Sequence, residues 1–280
     1  IYMKKILLTI FAAFALFASS AFAGIGTYGY IDFFYDNGPS GDSTGVYEFE
    51  YGMEFSEEGS PFSAVMELSF NGDTDVGFET ATITYAASDE LSYTIGNILS
   101  YQGFEAYDQT GMYQYSYQGD GPVYSAAYAV GASVDYVTDD YSVGVWIGDS
   151  DTDDSYEYLF AYTGIEGVTA KYIYADDPGY ETDNFWVSYE TGDLTLAYET
   201  TETDESSIDM EMYLAYLAMG DAGLTVRYSE GTYNGADYDK TTFSPSYAFS
   251  DAVFGLIEFS DITSDGVDSS FTAVEVLYTF

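Results

Sequence analysis

The chain has 280 residues, 48 of them acidic and five basic, a formal charge of −43, and it contains neither Cys nor His. Without those two residue types, Ser-His-Asp and Cys-His catalysis and the usual zinc sites are excluded, and no carboxylate pair stands out for hydrolysis, so no enzyme is expected. Such acidity also repels nucleic acid and anionic headgroups.

Residues 3–23 read as a cleaved secretory signal peptide. Met3 starts it, Lys4 and Lys5 supply the positive region, Ile6 to Ala18 the apolar stretch, and Ala21-Phe22-Ala23 the small-x-small site before Gly24. Ile1 and Tyr2 are then not native. The exported chain, 24–280, has three basic residues against 48 acidic ones, a formal −45. It is 47% hydrophobic and 19% aromatic over the full sequence, too apolar for disorder, yet no run of 18 apolar residues crosses a bilayer as a helix. Apolar residues that are abundant but never contiguous are hidden by alternation, which is the pattern of a transmembrane β-barrel.

The first expected strands are Gly24 to Tyr35, ambiguous around Asp32, and Gly45 to Ser56. In the second, Tyr47, Phe49, Tyr51, Met53 and Phe55 form one face against Glu48, Glu50, Gly52 and Glu54, which suits lipid outside and water inside. Phe62 to Phe70 repeats this, with Glu67 inward; Val76 to Ala86 is Thr-rich and harder to orient; Leu91 to Asn97 follows. After the longest connection, Ile98 to Val123, the clearest alternation runs from Tyr124 to Tyr136, with Asp135 on the inner row. Hairpins then follow to the carboxyl terminus, through Tyr141–Gly148, Tyr156–Thr163, Val168–Ala175, Asn184–Glu190, Asp193–Thr200, Ile208–Met219, Gly223–Ser229, Asp239–Phe249 and Ala252–Ser260.

The closing strand ends Val274-Glu275-Val276-Leu277-Tyr278-Thr279-Phe280. The fold expected is all-β, a transmembrane antiparallel up-and-down barrel of sixteen strands, or fourteen if the Thr-rich region is not one. Connections are expected to alternate between short turns and longer acidic loops, among them Asp176 to Asp183, Gly231 to Tyr238 and Asp261 to Asp268. The run Asp149 to Asp154 begins like a calcium loop but lacks the Gly and the closing Glu, so no cofactor is expected beyond loose divalent cation binding by acidic loops. Tyr residues at strand ends, such as Tyr124, Tyr136, Tyr141, Tyr156 and Tyr278, suit the headgroup boundary.

With its leader, sixteen alternating strands, long third loop and terminal Phe280, the chain resembles the Gram-negative outer-membrane porins. Within them, Gly96-Asn97-Ile98 through Gly103-Phe104-Glu105 to Tyr113-Gln114-Tyr115-Ser116-Tyr117 resembles a family of bacterial β-barrel porins in which a Gly-aromatic-Glu motif follows a strand. The resemblance implies insertion into the outer membrane by machinery that recognises Phe280, contact with outer-membrane lipid, a homotrimer, and a third loop folded into the lumen. Glu105 and Asp108 would be its constriction carboxylates, facing a wall cluster of arginines.

The arginine cluster is where this sequence departs. Alternation puts Lys171, Arg227 and Lys240 on the lumen face, on strands counted as the tenth, fourteenth and fifteenth, too dispersed for one cluster. The rest of the predicted lumen face is acidic: Glu48, Glu50, Glu54, Glu67, Asp135, Glu157, Glu190, Glu199, Asp209 and Glu211. Carboxylates in rings favour cations. The expected function is a water-filled pore for passive diffusion of small hydrophilic solutes and ions, with cation preference; the alternative is a non-conducting structural or adhesive barrel.

Overall fold

The structure is a computed structural model that describes residues 24–71, 76–105, 108–124, 128–149, 154–204 and 207–280. The leader 3–23 and residues 150–153 of the acidic run lie outside them. Alternating sequences give the strands β1 (Ile25–Gly38), β2 (Gly41–Ser56), β3 (Phe62–Asn71), β4 (Val76–Ala86), β5 (Leu91–Leu99), β6 (Tyr128–Val137), β7 (Tyr141–Asp149) and β8 (Asp154–Ile165). The second half continues with β9 (Val168–Asp177), β10 (Tyr180–Thr191), β11 (Leu194–Thr203), β12 (Ile208–Met219), β13 (Ala222–Tyr233), β14 (Ala236–Ser250), β15 (Val253–Ser264) and β16 (Val267–Thr279). Each pairs antiparallel with its chain neighbours, and β1 pairs with β16 to close a sixteen-stranded barrel, so every strand edge is satisfied. Lys171, Arg227 and Lys240 therefore lie on β9, β13 and β14, each one strand earlier than the sequence count.

Closure depends on a small residue. The backbones of Gly29 and Phe280 exchange hydrogen bonds of 3.1 and 3.0 Å. The Phe280 ring then crosses β1 over Gly29 to stack on Phe49 and Tyr51, 6.3 and 6.4 Å between centroids. A Cβ at Gly29 would sit 2.9 Å from that ring and 2.3 Å from the Glu50 carbonyl oxygen.

The wall is uneven. Among the described residues β5, with described chain on both sides of it, has nine residues, whereas β2 has 16 and β14 has 15. On the tall side the expected long acidic loops are strand instead. Asn234-Gly235 and Asp265-Gly266 make two-residue turns with positive φ at both positions, 51° and 81°, 49° and 74°. Such turns match the twist of paired strands and let β13 to β16 continue as ribbons.

Three expected facings are corrected. Asp209 and Glu211 point outward, while Ile208, Met210, Met212 and Leu214 take the inner face of β12. Outside, the two acids join Asp183, Glu202 and Glu230 in cross-strand register, where the apolar band ends; Tyr213 and Tyr228 hydroxyls donate to Glu211 and Glu230 at 2.7 and 3.1 Å. Tyr47 turns inward, because the β1–β2 register shifts after Asp32, and its ring meets Phe34 and Tyr115. Tyr124 precedes β6 rather than starting it, and is 9% exposed against Ile208 and Met210.

Among the described residues, each of the three apolar clusters contains residues of the β5–β6 connection. Val123 and Tyr124 pack with Ile208, Met210, Tyr238 and Ile262; Tyr115 with Leu256 and Ala273; Phe104 and Tyr113 with Ala197, Met212 and Leu214. That is why β12 needs an apolar inner face. Among the described residues no helix is long and apolar enough to cross a membrane; the helical piece is the turn Gln109–Gly111 in this connection.

Candidate functional site

The connection between β5 and β6 is bound to inward-facing side chains from β8 to β15. Where it leaves β5, Ser100 and the Tyr101 N–H donate to Glu157 at 2.6 and 2.7 Å, with the Gln102 amide at 3.3 Å. Gly103 then turns the chain at φ 98°, in space where a Cβ would lie 2.7 Å from the Tyr124 ring. The Phe104 N–H donates to Glu199 at 2.9 Å. Glu199, fully buried, also accepts from Asn184 at 2.9 Å, Gln118 at 2.5 Å and the Tyr124 hydroxyl at 2.8 Å.

Further along, Arg227 and Glu105 form an ion pair of 2.7 Å, 0% and 2% exposed. Arg227 also donates to the Tyr117 carbonyl at 2.7 Å, which Lys240 reaches at 2.9 Å while donating to the Ser116 hydroxyl at 2.7 Å. The Ser116 N–H and hydroxyl in turn donate to Glu258, the N–H at 2.9 Å. So Arg227 and Lys240, read from sequence as dispersed, converge on one carbonyl. Lys171 stands apart, 5.0 Å above the Trp186 ring.

Most donors in this network are neutral, which follows from the composition. With three cations after residue 23, buried carboxylates must be met by amides, hydroxyls and backbone N–H groups, since a buried acceptor without a donor is costly. All four glutamines of the chain, Gln102, Gln109, Gln114 and Gln118, lie in this connection and are buried. That concentration is a sequence signal for the contact surface. Glu258, also missed, sits between outward Ile257 and Phe259, an alternation that places it inside.

The wall of β1 to β4 is different. Glu48 accepts from Tyr30 at 2.6 Å and from Ser69, and Glu67 from Tyr28 at 2.5 Å. Beside them Glu50 of β2, Glu79 of β4 and Asp108 of the connection each bring a carboxylate oxygen within 4.8 Å of the others. Burial, then the charges of Glu48 and Glu67, push the Asp108 carboxyl up to about 6. Glu79 is the member that sequence reasoning missed, because it falls at the register shift in β3–β4 pairing. No basic residue lies on β1 to β8.

Among the other predicted lining residues, Asp135 accepts from Tyr101 at 2.5 Å and Ser133 at 2.8 Å, and Glu54 is exposed on the inner face beside Gly26. At the end of the barrel toward the β1–β2 turn, a cavity of about 550 Å³ is lined by Asp36, Tyr47, Tyr115, Tyr117, Asp120 and Lys240.

No family model matches the sequence, and no curated protein matches it. Solved structures do match. A substituted form of the porin of Rhodopseudomonas blastica is 14% identical, with a TM-score of 0.71 over 92% of this chain and 100% of that one. OmpT of Vibrio cholerae, described as an outer membrane protein and solved in a trimer form, is 12% identical, with a TM-score of 0.65 over 93% of this chain and 100% of its own. A loop-deleted form of it gives 12% identity and a TM-score of 0.67, covering 92% and 99%. Identities this low carry the fold alone, and with the closed antiparallel sheet they make this chain a sixteen-stranded barrel of the bacterial outer-membrane porin type.

Proposed function

We propose that the barrel sits in the outer membrane and conducts small cations and small hydrophilic solutes by passive diffusion, along the acidic inner face of β1 to β4. The observation that carries this is the separation of charge. Glu48, Glu50, Glu67 and Glu79 belong to that wall and Asp108 lies against it, with no basic residue on the same strands, while Arg227 and Lys240 of β13 and β14 are bound to the connection. In this reading Asp108 faces the ion path and Glu105 serves as an anchor. A gap bordered by one sign of charge concentrates counter-ions and excludes co-ions.

The trimer form of OmpT supports assembly as a homotrimer. Recognition of Phe280 by the insertion machinery belongs to the same reading, as does export by a cleaved leader. Planar bilayers with a salt gradient test the proposal. The reversal potential takes the sign of cation preference, and the preference fades as salt screens the carboxylates. An anion-preferring or salt-insensitive channel overturns it. One observation favours a second reading, a non-conducting barrel: Glu157, Glu199, Arg227 and Glu258 on the inner wall are each 0% exposed, so the loop fills that half of the lumen. Absence of current from correctly folded protein would establish that reading.

A further inference from the structure

We propose that Glu50, Glu79 and Asp108 form a binding site for a divalent, oxygen-seeking cation of the Ca²⁺ class, joining the β5–β6 connection to the wall of β2 and β4. Three features carry it. The first is spacing. One oxygen from each carboxylate lies within 4.8 Å of the other two. Oxygens on opposite sides of a Ca²⁺ ion are about 4.6 to 5.2 Å apart, twice the usual bond length, so one ion fits between the three with little movement of the chain.

The second is the missing donor. Glu50 is 5% exposed and its carboxylate has no hydrogen-bond partner among the described residues, and Glu79 Oε2 is buried with none. Where the connection meets β8 to β11 the protein supplies donors to the carboxylates it buries, three to Glu157 and four to Glu199, and on the β1–β4 wall Glu48 receives two. Of the donors on the β1–β4 wall, Tyr28 is directed to Glu67 and Tyr30 to Glu48, while Ser69 donates to Glu48 and reaches Glu79, leaving Glu79 Oε2 without a donor. The three inner carboxylates face one another. A cation supplies what they lack.

The third is the origin of the ligands. Two come from β2 and β4, which flank β3 and whose positions the barrel fixes, and the third from the residue just before the turn Gln109–Gly111, where the backbone is extended at φ −82° and ψ 144°. Three carboxylates offer up to six oxygens, which suits the six to eight that Ca²⁺ takes, whereas Mg²⁺ keeps several waters and binds fewer side chains.

Binding itself stands on this geometry; its consequence for transport rests on the conducting reading above. A bound divalent ion on the acidic inner face would block monovalent cations.

The test uses the full chain refolded in detergent and stripped with a chelator. Isothermal titration with CaCl₂ in 0.3 M KCl, enough to screen diffuse surface binding, is expected to give one site, tighter for Ca²⁺ than for Mg²⁺. Glu50→Gln and, separately, Glu79→Gln weaken it by at least about tenfold, because each removes one of three charged ligands. The pair Glu181→Gln with Asp176→Asn, exposed on β9–β10, leaves it unchanged. Gel mobility with and without boiling verifies that each variant folds. No saturable site, or a site indifferent to Glu50→Gln and Glu79→Gln, overturns the inference. In bilayers Ca²⁺ is expected to block K⁺ current through the unsubstituted protein and to block Glu50→Gln at least about tenfold less well at equal concentration. Calcium binding without any current would keep the site and remove the conducting reading; cation-selective current with no calcium site would remove this inference alone.

Discussion

Replacing Arg227 by Met removes the positive charge paired with Glu105. The pair is 0% and 2% exposed, so the carboxylate left behind is buried with the Gln114 amide as its remaining neutral donor. Removing one partner of a buried pair costs about 3 to 5 kcal/mol, and since Lys240 still holds the Tyr117 carbonyl the lower figure applies. At about 1.4 kcal/mol per factor of ten, 3 kcal/mol raises the open population of the loop by about a hundredfold. The sixteen-stranded wall does not share in this, since its hydrogen bonds run between strands.

Hydrogen exchange read by mass spectrometry separates the two. Peptides covering 100–124 should exchange about a hundredfold faster in Arg227→Met, at a rate unchanged for the β9–β10 hairpin. The double variant Arg227→Met with Glu105→Met should return most of the protection, because a buried ion pair exchanged for apolar side chains of similar volume is near neutral. If the single substitution leaves loop exchange as it was, or the second substitution restores nothing, Glu105 and Arg227 do not latch the loop.

The closed barrel should migrate faster on a gel unheated than boiled; identical mobilities would mean that β1 and β16 do not seal. Gly29→Val should lower the yield of the fast-migrating form after refolding, by a strain of about 1 to 3 kcal/mol where the new side chain meets the Phe280 ring, while Gly26→Val, whose nearest contact would be 3.6 Å, should not. Asp108→Asn should shift the reversal potential toward zero, whereas Glu105→Gln should alter loop exchange more than selectivity. Deleting residues 103–111 should raise single-channel conductance, and an unchanged conductance would place that segment away from the ion path.

Alternation made the wall legible. Phe49, Tyr51, Met53 and Phe55 against Glu48, Glu50 and Glu54, or Val130, Ala132, Val134 and Tyr136 against Ser133 and Asp135, leave two faces and little choice between them. Strand number follows. What alternation cannot say is whether the inside is wet. The rule that charge faces the lumen holds on β2 and reverses on β12, where Met210 and Met212 meet the loop and the acids go outside. Turn chemistry was available at Asn234-Gly235 and Asp265-Gly266, but the flanking carboxylates read more strongly as loop. The acidic group at Glu50, Glu79 and Asp108 joins residues 29 apart or more across a register shift and a long connection, and local spacing carries no trace of it.

The unequal height of the wall has a consequence for the lipid around it. β5 has nine residues, so at a tilt of about 40° it spans about 23 Å, while the 15 residues of β14 span about 38 Å. A bilayer core of about 30 Å is thicker than the low side, and the leaflets there must pinch or the barrel must lean, at a fraction of a kcal/mol per Å. Several Å of pinching beside β5 would become a patch of strained lipid attached to one flank. In the outer-membrane reading proposed above, two such flanks that met would expel that lipid into flat membrane and release the strain, so the membrane itself is expected to draw barrels together on that side, without a single directed contact between them.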